Sequence, residues 1–246
     1  MKSLAFAILL LMVPASALAA SEGESLPTAD VVVARMLARN AQRQKELAGY
    51  QGMRQYVLQN DRFHKQADMV VRVQGDPDDT KHFEIVREEG WTGALKHVLH
   101  KMLETEEQAS APEMRTTTRL SPDNYTFSMV RTALADDRME YVIEVAPRRH
   151  DEHLFEGRVW IDAQDYALAR VEGRPAKTPS FWIRSVRFVH LYQKSGPFWF
   201  PLSTESLTEA RIFGATRLSI NYFDYKPNAS QSPETASATL PGGPIQ

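Results

Sequence analysis

The first periodic stretch of the chain repeats its apolar residues at the spacing of an α-helix. Thr28 and Asp30 stand at its start, and either side chain can accept hydrogen bonds from a helix N-terminus. Arginine and lysine occupy the remaining faces. The pattern predicts an amphipathic helix with an apolar stripe formed by Val32, Met36, Leu37, Ala41 and Leu47.

The period changes to two after Gly49, where apolar and polar residues begin to alternate. This alternation predicts three β-strands, one over residues 50–59, one around Val71 and one around Ile85. Glycine, proline and three aspartates at 75–79 favour a turn between the second and third strands.

Helical spacing returns over residues 91–109. The apolar residues of this segment fall on one stripe, and lysine and glutamate occupy the other faces. We therefore predict a second amphipathic helix, whose stripe is formed by Leu95, Val98, Leu99, Met102 and Leu103.

Strand alternation is nearly unbroken from residue 124 to residue 225. Short polar connections at 136–137, 163–165 and 195–197 separate the apolar runs. Connections of this length join antiparallel neighbours, whereas parallel strands need long crossovers. With the first three strands, the pattern predicts about ten antiparallel strands, each with one apolar face.

A long sheet with one apolar face must cover that face. The sheet can split into a sandwich, or it can curl into an open barrel that the two helices cover. Each helix has about 18 residues and a length of about 27 Å, which matches the reach of a curved sheet. We predict a mainly β (α+β) fold, an unclosed antiparallel β-barrel with two amphipathic helices as a lid over its concave face.

The start of the chain has the pattern of an export signal. Lys2 precedes an apolar run at 4–13, and small residues that a signal peptidase accepts follow at 15–20. The run is too short to cross a bilayer core of about 30 Å. We expect residues 1–19 to be a signal peptide, and the mature protein to begin at Ala20 or Ser21 and to be soluble in the periplasm.

The remaining chain is expected to form one domain over 28–227, since neither a repeat nor a linker divides it. Residues 228–246 are rich in Pro, Ser, Thr, Ala and Gly and are expected to be disordered. The sequence contains no cysteine, so disulfides, thiol chemistry and lipid attachment through cysteine are excluded.

The charge balance bears on the choice of partner. The chain has 29 Lys and Arg against 31 Asp and Glu, a net charge of −2. Nucleic-acid binding requires a basic surface, so nucleic acid is not an expected partner. A monomer is expected.

Several short motifs point to one family. They are Glu89-Gly-Trp91, Asn124-Tyr125 and the segments 141–147, 154–162, 168–172, 181–184, 196–201 and 222–225. Together they resemble the bacterial outer-membrane lipoprotein-sorting proteins, the superfamily of LolA, LolB and RseB, over residues 30–227. The resemblance implies an unclosed antiparallel barrel with a helical lid that binds an acyl chain or the lipid of a lipoprotein without catalysis. It assigns no individual functional residue.

Candidate metal and catalytic residues are few. His97, His100 and Glu104 are spaced so that they could share a metal, and His150 and His153 lie together in a charged loop. Both groups are better explained as solvated side chains than as metal ligands. The first lies at the border of the apolar stripe and the second in the loop. Nucleophile elbow, zinc helix and phosphate loop motifs do not occur, so we predict neither an enzyme nor a cofactor.

The predicted binding site is an apolar cavity between the lid and the concave sheet. Acyl carbon buried there would contribute about 0.8 kcal/mol per CH₂. Methionines suit such a site because they adapt to irregular ligands, although they also fill gaps in ordinary cores. The predicted cavity residues are Val32, Met36, Met69, Val71, Phe83, Ile85, Leu95, Leu99, Met102, Phe127, Met129, Tyr141, Ile143, Val159 and Ile161.

Two functions remain open at this point. A periplasmic carrier or chaperone of acylated cargo, with transient membrane contact, is the first interpretation. The second is an envelope module that senses lipid or contacts a partner protein, without transport. The aromatic residues near the strand ends, including Trp182 and Phe200, can be core residues or can form an apolar mouth that contacts lipid.

Overall fold

The computed structural model describes residues 26–178 and 180–228. The predicted signal peptide at 1–19 and the predicted disordered tail, apart from Asn228, lie outside the described residues. No helix in the described part of the chain has the length and apolar character that a bilayer span requires.

Ten strands form one antiparallel sheet in the order β3-β2-β1-β10-β9-β8-β7-β6-β5-β4. Their bounds are β1 Tyr50–Asn60, β2 Lys65–Gly75, β3 Lys81–Gly90, β4 Tyr125–Ala135, β5 Arg138–Pro147, β6 Phe155–Asp162, β7 Leu168–Pro175, β8 Ile183–Ser195, β9 Phe198–Ala210 and β10 Gly214–Pro227.

The sheet is not closed, because β3 and β4 form its two edges. Neighbouring strands follow one another along the chain, except that β1 pairs with β10. This pairing joins the first three strands to the last seven. The predicted unclosed antiparallel barrel of about ten strands with helices is confirmed.

The helices are α1 (Ala29–Glu46), α2 (Thr92–Ala94), α3 (His100–Ser110) and α4 (Pro112–Thr118). Thr28 caps α1, since its hydroxyl accepts a hydrogen bond from the backbone N–H of Val31 at 3.5 Å. The buried residues of α1 all lie in its first half, from Ala29 to Met36. Helix α4 was not predicted from the sequence.

A π-helical segment, Leu95–Leu99, joins α2 to α3 and makes one helical run over 92–110. The backbone N–H of His100 bonds to the carbonyl of Leu95, five residues earlier. The wider turn keeps Leu95, Leu99 and Leu103 on the buried face. It turns Val98 away, and this residue, predicted on the apolar stripe, is 40% exposed.

A bulge in β10 changes which residues face the helices. Tyr222 and Tyr225 are three residues apart and would face opposite sides of a regular strand. The pairing with β1 shifts register at this point, and Asp224 adopts a left-handed backbone conformation with φ of 55°. Both tyrosines are therefore buried on the covered face, and Phe223 between them is partly exposed.

The predicted alternation of β5 and β6 agrees with the structure for Ile143 and Ile161, which are fully buried, and for Glu144, which is exposed. Regular alternation would turn Asp162, the residue after Ile161, toward solvent, but it is buried. Its carboxylate accepts two hydrogen bonds from Arg138, at 2.5 and 2.7 Å, and two from backbone N–H groups of the following turn. Glu140, which shares the phase of the exposed Glu144 on β5, lies opposite Asp162 and is likewise buried.

Candidate functional site

The covered face of the sheet carries two separate hydrophobic clusters. Cluster 1 lies beneath the helical run 92–110, mainly on β1, β2 and β10, and contains or packs against Met69, Val71, Phe83, Leu95, Leu99 and Met102. Cluster 2 lies beneath α1, mainly on β4 to β7, and contains or packs against Val32, Met36, Phe127, Met129, Tyr141, Ile143, Val159 and Ile161.

One predicted cavity residue lies outside both clusters. Ile85 pairs with Val71 and shares its face of the sheet, but β3 is an edge strand, so the side chain is 42% exposed. The other fourteen predicted residues are divided between the two packed clusters, on the covered face of the sheet and on the helices above it.

Two adjoining cavities lie where the clusters meet. The larger has a volume of about 380 Å³ and the smaller about 280 Å³. Since they share six lining residues, they form two compartments of one space, which we call the central cavity. The shared residues are Gln44, Leu47, Asp79, Tyr192, Trp199 and Phe200.

None of the fifteen residues predicted from the sequence lines the central cavity. Its walls come from the second half of α1, from the middle of the sheet and from α3. The second half of α1 has no buried residue, so the roof of the cavity is the less tightly packed part of that helix.

Aromatic rings form much of the wall. Tyr50 and Phe200 line the cavity, and both pack against Tyr225, which does not line it; the centroid distances among the three rings are 5.6 to 5.9 Å. The indole N–H of Trp199 donates to Asp165 at 3.0 Å, which holds the ring at the cavity. These rings offer apolar contact area, and their side chains have few rotatable bonds.

A buried arginine stands at the floor of the larger compartment. Arg54 is 2% exposed and donates to the hydroxyl of Tyr225 at 2.8 Å, to that of Tyr56 at 3.2 Å and to the carboxylate of Glu106 at 2.8 Å. Its guanidinium also lies 5.0 Å from the ring centroids of Phe83 and Tyr222. A buried charge is tolerated only with such partners.

Glu106 on α3 joins two cations. Its second carboxylate oxygen accepts a hydrogen bond from the ammonium group of Lys81 at 2.9 Å. Burial alone would raise the pKa of Glu106, but Lys81 and Arg54 together lower it to about 2. The pKa of Arg54 is raised by Glu106 and the tyrosines despite burial, so all three groups are charged at neutral pH.

A neutral hydrogen-bonded chain follows on β8, β9 and β10. The hydroxyl of Thr204 lies 2.7 Å from Nδ1 of His190 and 3.0 Å from the hydroxyl of Tyr222. Burial lowers the pKa of His190 to about 4, so the imidazole is neutral at neutral pH. The central cavity therefore combines aromatic walls with polar groups on one side.

The polar groups of this site are not among the residues predicted from the sequence. Arg54 shares the inward phase of β1 with Tyr50 and Tyr56, and an arginine among apolar inward positions was a usable signal. Nothing in the sequence distinguishes Glu106 from Glu104 and Glu107 on the same helix. These two neighbours are exposed in the structure.

The candidate metal groups are separated in the structure. His97 is exposed, and His100 pairs with Glu88 on β3. His150 and His153 are exposed in their loop. Within residues 26–178 and 180–228, no three His, Asp or Glu side chains are grouped in a way that could hold a metal ion.

The uncovered face of the sheet has a larger, open groove of about 850 Å³. Arginine and glutamate alternate along it, and Arg174 and Glu156 pair across neighbouring strands. This mixture of both charges near solvent resembles an ordinary polar sheet face.

A family model matches only part of the chain, whereas similar solved structures cover most of it. Residues 120–226, which hold strands β4 to β10, match a family of unknown function, DUF5686. No curated protein matches the sequence significantly.

Solved structures resemble the chain over most of its length. A LolA superfamily protein from Nitrosomonas europaea is 10% identical, with 83% of this chain and 96% of that chain covered and a TM-score of 0.42. A domain proposed to sort outer membrane lipoproteins, from Vibrio parahaemolyticus, is 12% identical, with coverage of 81% and 94% and a TM-score of 0.44.

A further similar structure is the MucA/MucB complex of Pseudomonas aeruginosa, at 10% identity, coverage of 79% and 98% and a TM-score of 0.26. The first two structures carry names from the group of proteins that the sequence motifs resemble.

Proposed function

We propose that this protein is a periplasmic binding protein that holds an acyl chain, of a lipid or a lipoprotein, in the central cavity. The observation that carries the proposal is a space lined by aromatic rings between two clusters that are each packed by a separate helix. Its larger compartment, of about 380 Å³, falls in the size range of small-molecule sites, and the smaller, of about 280 Å³, extends it.

The chemistry of the walls suits an amphiphile. Leu47 and Phe200 line both compartments and offer apolar surface to a hydrocarbon chain. Each buried CH₂ contributes about 0.8 kcal/mol, so about ten of them supply the roughly 8 kcal/mol of micromolar binding. The His190, Thr204 and Tyr222 groups provide neutral hydrogen-bonding atoms for the polar end of the ligand.

The helices allow entry without unfolding either cluster. The second half of α1 covers the cavity with Asn40, Arg43 and Gln44, and Arg43 holds it by hydrogen bonds to two backbone carbonyls, those of residues 165 and 166, at 2.9 and 3.1 Å. The buried residues of the helix lie elsewhere, at Ala29 to Met36. A ligand can displace this half of α1 while cluster 2 stays packed. Loading and release then require a small rearrangement, as a carrier of acylated cargo in lipoprotein sorting needs.

The test measures binding of a fluorescent fatty acid to the full chain. Leu47→Trp fills the space shared by both compartments and should weaken probe binding at least about tenfold, because acyl carbons lose their place. Leu134→Trp, at an exposed hairpin on another part of the sheet, is the matched control and should bind as the original protein does.

Probe binding that Leu47→Trp leaves unchanged would place the ligand elsewhere. If the original protein binds no probe at micromolar concentration and retains no lipid, the alternative function, an envelope module that contacts a partner protein, takes precedence.

A further inference from the structure

One end of the sheet presents a group of exposed apolar side chains. They belong to the β1–β2 connection, the β9–β10 connection and the segment before β8. Phe181 is 74% exposed and Trp182 54%, and the others are about half exposed. We call this surface the aromatic tip, formed by Phe63, Phe181, Trp182, Ile212 and Phe213.

Specific contacts hold the three segments together. The guanidinium of Arg62 donates to the carbonyl of Ile212 at 2.6 Å, and the rings of Phe63 and Phe213 lie 6.0 Å apart. The backbone N–H of Arg211 donates to the carbonyl of Trp182 at 2.8 Å. The aromatic tip is therefore one built surface, although its residues come from distant parts of the chain.

Cations surround the aromatic side chains. Arg62, Lys65, Arg184 and Arg211 all lie in these segments, and the guanidinium of Arg211 is 4.8 Å from the ring centroid of Phe181. Acidic groups nearby are Asp61, which pairs with Arg217 at 3.4 Å, and Glu209. Positive charge predominates at this end of a chain whose net charge is −2.

An open depression at the aromatic tip collects groups that bind phosphate. It is lined by the guanidinium-bearing side chains of Arg184 and Arg211 and by Thr178 and Ser180, with Phe181 at its side. Both arginines are exposed. Two guanidinium groups and two hydroxyls offer the positive charge and the hydrogen-bond donors that a phosphate group accepts.

We propose that the aromatic tip docks on an anionic membrane surface. Phe181 and Trp182 enter the interface between headgroups and acyl chains, where amphipathic aromatic rings prefer to lie. Arg184 and Arg211 contact lipid phosphates at the headgroup level. A membrane fits better than a protein partner, because the exposed apolar side chains stand among cations and the depression beside them is lined mainly by polar groups.

This inference does not depend on the central cavity, since none of the tip residues lines it. The test measures binding of the full chain to vesicles of phosphatidylcholine alone and of phosphatidylcholine with phosphatidylglycerol. Binding should require phosphatidylglycerol and should fall as salt is added.

Two variants and one control separate the contributions. Phe181→Ser with Trp182→Ser should weaken vesicle binding more than about tenfold, because the apolar contact is lost. Arg184→Gln should weaken it about fivefold, the contribution of one cation near an anionic surface. Leu134→Ser removes an exposed apolar residue from a hairpin at the opposite end of the strands and should leave binding unchanged.

Absence of binding of the original protein to phosphatidylglycerol vesicles would overturn the proposal, as would equal losses in Leu134→Ser and the tip variants. Unchanged melting temperatures would show that all variants remain folded, which is expected because every changed side chain is exposed. Inorganic phosphate competing fully with the vesicles would show a free-phosphate site instead and would also overturn docking.

Discussion

Arg54 on β1 and Glu106 on α3 form an ion pair, with 2.8 Å between guanidinium nitrogen and carboxylate oxygen. The pair joins the helical run 92–110 to the middle of the sheet, because β1 is the strand that pairs with β10. Lys81 on β3 completes the link through the other carboxylate oxygen. This contact holds one wall of the central cavity in place.

The first prediction concerns removal of the carboxylate. Glu106→Gln leaves the buried guanidinium of Arg54 without its countercharge and should lower the free energy of unfolding at pH 7 by about 2 kcal/mol. This figure is below the value for a fully buried pair, because the Glu106 side chain is 34% exposed. Chemical denaturation at pH 7 measures it.

The pH dependence of this stabilisation follows from the direction of the pKa shift of Glu106. The folded protein holds the pKa of Glu106 near 2, below its ordinary value of 4.5, so this stabilisation is present above pH 4.5 and is lost as the pH falls toward 2. Glu104→Gln is the control, since Glu104 is an exposed neighbour and its loss should change stability by no more than about 0.5 kcal/mol. Equal effects of both changes would contradict the link to the sheet.

The buried imidazole of His190 should give the stability of the protein a second dependence on pH. The unfolded chain protonates this imidazole near pH 6.5, whereas burial lowers the pKa in the folded protein to about 4. The unfolded state binds more protons in this range, so stability should decrease by about 2 kcal/mol as the pH falls from 6.5 to 4.

Unfolding curves at several pH values test this expectation. His190→Gln should flatten the decrease between pH 6.5 and 4, and His97→Gln, at an exposed position, should leave it as it is. An unchanged slope in His190→Gln would assign the effect to another group.

The strand phase makes a third prediction. Ile143→Asp places an unpaired charge in cluster 2 and should cost several kcal/mol of stability, because the side chain is fully buried. Glu144→Lys, one residue later on the uncovered face, should stay within about 0.5 kcal/mol. Thermal and chemical unfolding compare the two, and similar losses would mean that the phase is wrong.

The sequence was sufficient for the fold because the main elements obey simple periods. Alternation marked the strands, and the α1 cap at Thr28 lies where the pattern predicts it. The errors fall where local geometry departs from those periods. The π-helical segment turned Val98 out, and the partners of Asp162 permitted an acidic residue to be buried.

The central cavity could not be predicted from the sequence, for a related reason. A periodic pattern identifies which apolar residues face inward, and such residues pack into clusters 1 and 2. The central cavity is lined by Arg54, which breaks the pattern, and Tyr225, beyond the β10 bulge, accepts a hydrogen bond from that arginine. Their meeting depends on long-range pairing of β1 with β10, which local spacing does not encode.

The fourth prediction separates packing from ligand binding. Leu99 is fully buried in cluster 1 beneath the helical run and does not line the central cavity. Leu99→Ala should therefore lower the stability of the empty protein by about 2–5 kcal/mol while affecting fatty-acid binding much less. Val98→Ala, on the exposed side, should change neither. A proportionate loss of binding in Leu99→Ala would show that cluster 1 itself holds the ligand.

Native mass spectrometry of the full-length gene product, expressed and purified from a bacterial periplasm, tests the central claim most directly. We predict a population whose added mass corresponds to a lipid or fatty acid, confirmed by organic extraction, and its strong reduction in Leu47→Trp. A protein that carries no added mass, yields no lipid on extraction and binds no fatty-acid probe would contradict the claim that the central cavity is a lipid site.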